Sequence, residues 1–444
     1  MPQPPSKPPL SRLIRYTVIV IASIGFLFDI YVILVGPLIV QPALLELANL
    51  KPGTPDYRNW AAILFWVPPL VGGFFGFCGG YLADRFGRRR VLTWSILIYS
   101  AATFAAGAAT SVTWLLVFRT AAFAGSCVEF VAAVAWLAEI FTEPRQREAI
   151  IGYTQAFSSL GGVLSAEIFY IANRYGASFP AIASGHSAWR YLLISGMIPA
   201  LPLIFIRPFL PESPQWEEKR AAGTLKRPSL AEIFTPRFRV TSIVTALMLA
   251  CAYGVTFGAL QQAPQIAAGI PEVLKMDPSL RGQAVSGIQG TQELGGLAGR
   301  IAMAGLALAI VSRRKLLRIF LVPAVILMPL IYLFTSSESL QIFRWTIAVA
   351  GFFVVAQLTF WGNYLPRVYP IHLRGTGEGF AVNVGGRMLG TSTAFITTHL
   401  SGIMPGVLPG AKLASAAALV GTTAVALSLV LTFFLPEPPE NLID

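Results

Sequence analysis

The chain has 444 residues, of which 55% are hydrophobic and only 12% charged, and its mean hydropathy is +0.65. A soluble globular domain carries about 25% charged residues, so no aqueous core of this length can hide so much apolar surface and the solvent must be lipid. The formal net charge of +12 does not point to nucleic acid, because the basic residues sit in short segments between apolar runs and not on one face of a soluble domain.

The chain begins with a polar, Pro-rich stretch, Met1 to Leu10. No cleavable signal is read there, since the apolar run that follows is too long for a signal core. Apolar runs of 18 or more residues fall near 16–40, 61–83, 91–110, 113–138, 149–172, 190–210, 240–262, 284–311, 316–335, 341–364, 377–403 and 413–435. Each can cross a hydrocarbon core of about 30 Å at a helical rise of about 1.5 Å per residue. The expected fold is therefore an all-α membrane protein of twelve transmembrane helices.

Assigning the connecting segments alternately to two sides places 22 of the 33 Lys and Arg residues on the side of the N-terminus and 8 on the other, with Arg119, Arg300 and Arg387 inside spans. That asymmetry predicts both termini in the cytoplasm and a multi-pass protein of the cell (inner) membrane. The longest segment on the terminal side, 211–239, is charged and contains Pro. It separates an N-terminal six-helix bundle, 1–210, from a C-terminal one, 240–444.

Cys78, Cys127 and Cys251 all lie in apolar runs without paired spacing, and His186, His372 and His399 are scattered. Neither a disulfide framework nor a metal or other cofactor site is indicated. No nucleophile, base and orienting group are spaced as an enzyme would need them.

The halves echo each other. Gly72-Gly-Phe-Phe-Gly76 returns as Gly295-Gly-Leu-Ala-Gly299, Phe118-Arg119 as Phe343-Arg344, and Arg147-x4-Gly152 as Arg374-x4-Gly379, all at nearly the same offset. Parallel six-helix repeats imply a solute site between two bundles near the midplane. Ordinary packing of small residues between helices is the alternative reading.

Between the second and third runs stands Gly80-Tyr-Leu-Ala-Asp84-Arg85-Phe-Gly87-Arg88-Arg89-Arg90. It resembles the loop signature of the major facilitator superfamily, G-x-x-x-D-[RK]-x-G-[RK]-[RK], at every position. Gly87 permits a tight turn, and Asp84 can accept hydrogen bonds from Arg side chains or a helix N-terminus. The resemblance implies a gating role for Gly80, Asp84, Arg85, Gly87, Arg88 and Arg89. The second half keeps Arg313-Arg314-Lys315 but has Ala307 in place of the acid.

Other stretches are similar to narrower groups. Arg119-x9-Glu129, Arg374-Gly375-Thr376-Gly377, Gly386-Arg387 and Phe28-Asp29-x-Tyr31 resemble proton-coupled metabolite and aromatic-acid symporters, although Val32 replaces a second acid in the last. Gln155, Gln261 and Gln262 lean towards sugar porters, and Trp189-Arg190 with Pro211-Glu-Ser-Pro fits both groups.

Ionisable groups inside spans are costly and so are functional candidates. Asp29, halfway along the first span, and Glu129, near the middle of the fourth, are the candidates for proton carriage, with a proton shared between them or a permanent salt bridge as alternatives. Arg387, in the middle of the eleventh, can hold a solute carboxylate or phosphate bidentately, or can be the fixed partner of Glu293 in the eighth. Tyr31, Gln155, Gln261, Gln262, Gln289, Trp361 and Asn383 are candidate solute contacts, since midplane amides and aromatics suit a polar solute with a flat or apolar face. The reading is a monomeric secondary transporter in membrane lipid that takes up a small organic metabolite, an organic acid or anion, together with protons as the coupling ion. A sugar or polyol carrier and a metabolite or drug exporter are the alternatives.

Overall fold

The computed structural model describes residues 12–141, 143, 146, 150, 153–154, 157–183, 185–198, 201, 212–222, 230–335, 339–370 and 373–438. Among these the regular structure is helical. In the first half, α1 is Arg12–Ala48, α2 Pro55–Phe86, α3 Arg88–Gly107, α4 Val112–Ile140, α5 Leu160–Tyr175 and α6 Ala188–Ser195. In the second, α7 is Arg239–Gly258, α8 Pro278–Ala309, α9 Arg313–Leu330 and α10 Leu340–Val368. The eleventh helix, α11, is built from Arg374–Gly379, Phe380–Gly390 and Ser392–Leu400, and α12 is Pro409–Leu431. A short helix, Pro214–Ala221, lies between the halves.

Local chemistry sets the helix starts. The Thr54 hydroxyl accepts from the Tyr57 amide at 3.3 Å with Pro55 in the first turn, and Ser111 and Ser312 cap α4 and α9 in the same way. Each supplies an acceptor to an amide that has no partner within its own helix. The turn from α2 to α3 passes through Gly87 at φ +95°, a conformation open to glycine, and a β-carbon there would lie 2.6 Å from Glu212 Oε2.

Seven of the described helices are long and apolar enough by themselves to cross a membrane. The others are shorter, as α6 is, or carry more polar side chains, as α8 does with Arg281, Glu293 and Arg300. Large apolar side chains also point outward, including Trp94, Trp345 and Ile326 at 65%, 61% and 60% exposure, as a lipid-facing surface requires.

The interior forms two apolar clusters. One gathers α1 to α6 around Tyr31, Trp136 and Trp189, the other α7 to α12 around Phe320, Phe343 and Tyr364. The repeated glycines do equivalent work in both. A β-carbon on Gly72 would press on Phe123 and Cys127 of α4, and one on Gly295 or Gly299 would collide with the backbone of Ala348 or Phe352 in α10. The second helix of each half thus lies close against the fourth because these glycines lack a side chain.

Two spans depart from the continuous helices expected of the apolar runs. The seventh stops at Gly258 and resumes through Leu260–Gln262 and Ala263–Ala268, which sets Gln261 and Gln262 at a break. The eleventh is π-helical from Phe380 to Gly390, with the Thr391 amide donating to Gly386 O at 3.1 Å. Gly385 packs on the Ala246 backbone, and Gly386 and Gly390 on Tyr253. A glycine-rich helix pressed this closely on its neighbour accepts the wider turn, a feature common at functional sites.

Candidate functional site

Asp29 is central in α1, Glu293 in α8 and Arg387 in α11, so all three share the middle depth of the bundle. The structure brings the first and third together across the two halves. Arg387 Nη2 lies 3.5 Å from Asp29 Oδ2, and the two side chains are 6% and 3% exposed. The Ser126 hydroxyl of α4 donates to the other Asp29 oxygen. Arg387 Nη1 donates to Asn383 Oδ1 at 3.1 Å, and its guanidinium lies 5.2 Å from the Phe130 ring centroid. One cation of the second half is therefore inserted among α1 and α4 of the first.

The alternative pairing of Arg387 with Glu293 does not occur. Glu293 Oε1 accepts instead from Gln261 Nε2 at 3.2 Å and Gln292 Nε2 at 3.1 Å, with Arg300 as its electrostatic neighbour. The Glu293 side chain lies over Gly162 of α5, where a β-carbon would come within 2.7 Å. Arg300 is two turns further along the same helix face, as the spacing implies. Glu129 is buried one turn beyond Ser126 on α4.

Gln289 joins the halves. Its Nε2 donates to Leu34 O at 2.9 Å and Ser165 Oγ at 3.2 Å. Gln262 closes its own break by donating to Phe257 O at 2.9 Å, and it accepts from Gln265, whose Oε1 takes the Tyr57 hydroxyl at 2.8 Å. Tyr31 and Trp361 sit elsewhere. The Tyr31 hydroxyl is 2.8 Å from Leu192 O and 2.7 Å from Ser195 Oγ, inside the first half. Trp361 packs edge-on to Phe360 and Tyr364 in the second. Each is buried in the apolar cluster of its own half. Gln155 lies outside the described residues.

At the ends of the helices that carry the termini, the loop motif forms a local network. Arg88 Nη2 reaches Glu139 Oε1 at 2.7 Å and Nη1 reaches Ala83 O at 3.1 Å. The Arg89 amide donates to Glu212 at 3.1 and 3.2 Å. Arg85 is exposed and donates to the Tyr81 hydroxyl at 3.2 Å, and Gly80 touches Val131. The side chain of Asp84 lies outside the described residues. The second half repeats the cap without an acid in its loop: Glu437 accepts from Ser312 Oγ at 2.7 Å and from the amides of Arg313 and Arg314 at 2.9 and 3.1 Å. Glu139, Glu212 and Glu437 were not singled out from the sequence as site residues. The signal for the last two was a Pro-Glu pair that follows both the sixth and the twelfth spans.

On the face opposite the termini the halves are tied directly. The Ser279 hydroxyl donates to Asn173 O at 2.6 Å, Tyr57 bonds Gln265, and Gly402 abuts Arg58. These contacts close that face.

Two halves of six helices, with a charged contact at mid-depth and end-loops that bind within their own half, define a membrane transporter. The model of the Major Facilitator Superfamily matches residues 19–395, and the chain belongs to that family. It is similar to the sialic acid transporter NanX of Escherichia coli, 24% identical over 77% of this chain and 76% of that one. It is similar also to the niacin transporter NiaP of Acinetobacter baylyi, 25% identical over 87% of each. The fold matches that of a D-xylose-proton symporter with a TM-score of 0.72 at 17% identity, over 95% of this chain and 98% of the other.

Proposed function

We propose that the protein is a proton-coupled carrier that takes up a small organic acid by alternating access, with both termini in the cytoplasm. The supporting observation is the buried contact between Asp29 and Arg387 across the two halves. With the carboxylate charged, the pair holds α1 and α11 together. A proton on Asp29 removes its charge and leaves the Arg387 guanidinium to a solute carboxylate, which that planar cation can bind bidentately. Protonation and solute binding then favour each other, and release of the solute lets the pair reform once the proton has left. Glu129, one turn from Ser126, is the second candidate for the proton.

The relatives named for sialic acid and niacin, both carboxylic acids, support this substrate class. A monoanion carried with one proton moves no net charge, so a pH gradient drives it and membrane voltage does not. A net charge crossing ~150 mV would instead gain about 3.5 kcal/mol, so voltage dependence reports substrate charge.

The test is purified protein in liposomes under an inward proton gradient, with internal pH followed as organic acids are added. Acid-dependent proton entry that Asp29→Asn abolishes is the expected result. Coupled entry surviving in Asp29→Asn would remove Asp29 from the mechanism.

A neutral sugar or polyol is the second reading. Gln261, Gln289 and Gln292 each keep a buried amide oxygen without a hydrogen-bond partner, and sugar hydroxyls are donors that would satisfy them. Solute entry that neutral sugars compete for would move this reading ahead.

A further inference from the structure

The buried arginines of the first half among the described residues are Arg88, Arg119 and Arg190. Arg88 is paired with Glu139 and Arg190 with Glu46, whereas Arg119 meets no carboxylate among the described residues. It is only 5% exposed. Its Nη1 donates to Val32 O of α1 at 3.2 Å, and its guanidinium lies 5.4 Å from the Phe123 ring centroid. Its Nη2 stands 2.9 Å from where a β-carbon of Gly36 would be, so the missing side chain makes room for the cation. A carbonyl and a ring face attract a cation without neutralising it, and an uncompensated buried charge is costly. The equivalent arginine of the second half, Arg344, is exposed, so water reaches it, and it donates to Thr291 Oγ1 at 2.8 Å.

Arg119 touches α1 at the place where that helix departs from the symporter pattern it resembles. After Phe28-Asp29-x-Tyr31 the pattern has an acid, and this chain has Val32. Asp29, Val32 and Gly36 share one face of α1, and Arg119 and Ser126, two turns apart, share one face of α4. The two faces meet along a seam. At one level it holds Asp29, the Ser126 hydroxyl and the incoming Arg387. Arg119 lies along it between Val32 and Gly36, about 5–10 Å nearer the face opposite the termini at about 1.5 Å per residue. The seam faces the second half, because Arg387 reaches into it from α11.

We infer that Arg119 receives a carboxylate of the solute in place of the acid absent at position 32, so that the transported acid is a short dicarboxylate held between Arg387 and Arg119. This rests on the reading above that Arg387 takes a solute carboxylate. Each guanidinium can grip one carboxylate through two parallel hydrogen bonds, and the solute then supplies the counter-charge that the chain itself lacks.

The experiment measures thermal unfolding of the purified full chain with succinate and adipate, with butyrate and hexanoate, and with chloride alone at equal ionic strength. The wild type should be stabilised by a dicarboxylate at roughly tenfold lower concentration than by the monocarboxylate of the same length. Val32→Asp supplies the acid from within the chain, so it should keep the fold and lose that preference. Arg119→Gln removes an uncompensated charge, so it too should keep the fold and lose the preference while still responding to monocarboxylates. A preference that survives in either variant overturns the inference, and so does an Arg119→Gln protein that no longer folds, since Arg119 would then be structural. Chloride that stabilises the wild type as well as the dicarboxylates do assigns Arg119 to an inorganic ion and overturns it also. Equal stabilisation by mono- and dicarboxylates overturns it but leaves the Asp29–Arg387 reading standing; no response to any acid removes both.

Discussion

Glu212 and Glu437 do one job twice at equivalent places in the two halves, the first turning its carboxylate to the Arg89 amide in the first turn of α3 and the second to the amides of Arg313 and Arg314 in the first turn of α9. Such a cap joins a charge to a helix N-terminus and to amides that have no partner within the helix. Each also ties the segment after the last helix of its half to the second hairpin. The superfamily loop is thereby anchored within its own half, which lets the halves move as units.

The cap at Glu437 should be visible in the pH dependence of stability. Burial raises this carboxyl, but the bonds from Ser312 and from the amides of Arg314 and Arg313 outweigh it and hold the group below the usual glutamate range. A group depressed on folding stabilises above its unfolded value and ceases to do so as pH falls through its folded value. Glu437→Gln should therefore lower the unfolding midpoint at neutral pH, and the gap from wild type should close as the pH is taken below about 4. Thermal scans from pH 7 to pH 3 would show it; a gap that stays constant with pH would refute the charged cap.

The Asp29–Arg387 contact makes a second, sharper expectation. Removing one partner of a buried pair leaves the other charge uncompensated, at a cost of about 3–5 kcal/mol. Arg387→Ala should be strongly destabilised, whereas Asp29→Asn combined with Arg387→Ala should recover much of the loss and still carry no solute. Unfolding midpoints and liposome flux on the same preparations separate the two effects. Additive losses in the double variant would mean that the residues do not act as a pair.

Much of this was legible in the sequence. The apolar runs mark the helices, since lipid leaves no other solution for the backbone, and the repeat glycines mark where the second and fourth helices of each half touch. Asp29, Glu293 and Arg387 stood out because mid-span charges are costly. Their partners did not, since partnership depends on which helices adjoin: Arg387 meets α1 and α4 of the other half, and Glu293 meets amides. That Tyr31 would bond to α6 and Trp361 pack on Phe360 and Tyr364 could not be read either, because an apolar run gives no sign of which face looks inward. The π-helical stretch around Arg387 was invisible to periodicity, and the caps at Glu212 and Glu437 were hidden in segments that read as linkers.

Close helix approach should be intolerant of a single methyl group. A β-carbon on Gly161 would overlap Leu27 O of α1, and one on Gly295 would overlap the Ala348 carbonyl of α10, whereas Gly379 has nothing within 4 Å. Gly161→Ala and Gly295→Ala should each lose about 1–3 kcal/mol, and Gly379→Ala should be close to neutral. Unfolding midpoints in detergent test the ranking, and equal effects at all three positions would show that the contacts yield more easily than the packing implies.

The contact between Ser279 and Asn173 offers a way to hold one face shut. It links α8 to α5 across the halves, with a donor distance of 2.6 Å, on the face opposite the termini. Alternating access requires these segments to part in every cycle. A chain carrying Asn173→Cys and Ser279→Cys should lose solute flux on oxidation and regain it on reduction, while each single variant transports under both conditions. Cys127 and Cys251 are buried and Cys78 is partly so, and all three remain unchanged in the single-variant controls. Because the contact already lies in the closed face, the bond should leave the unfolding midpoint unchanged or raised even as flux stops. Flux that continues with the bond shown to be formed would mean that this face does not open for transport, and the rocking of the halves about Asp29 and Arg387 would have to be abandoned.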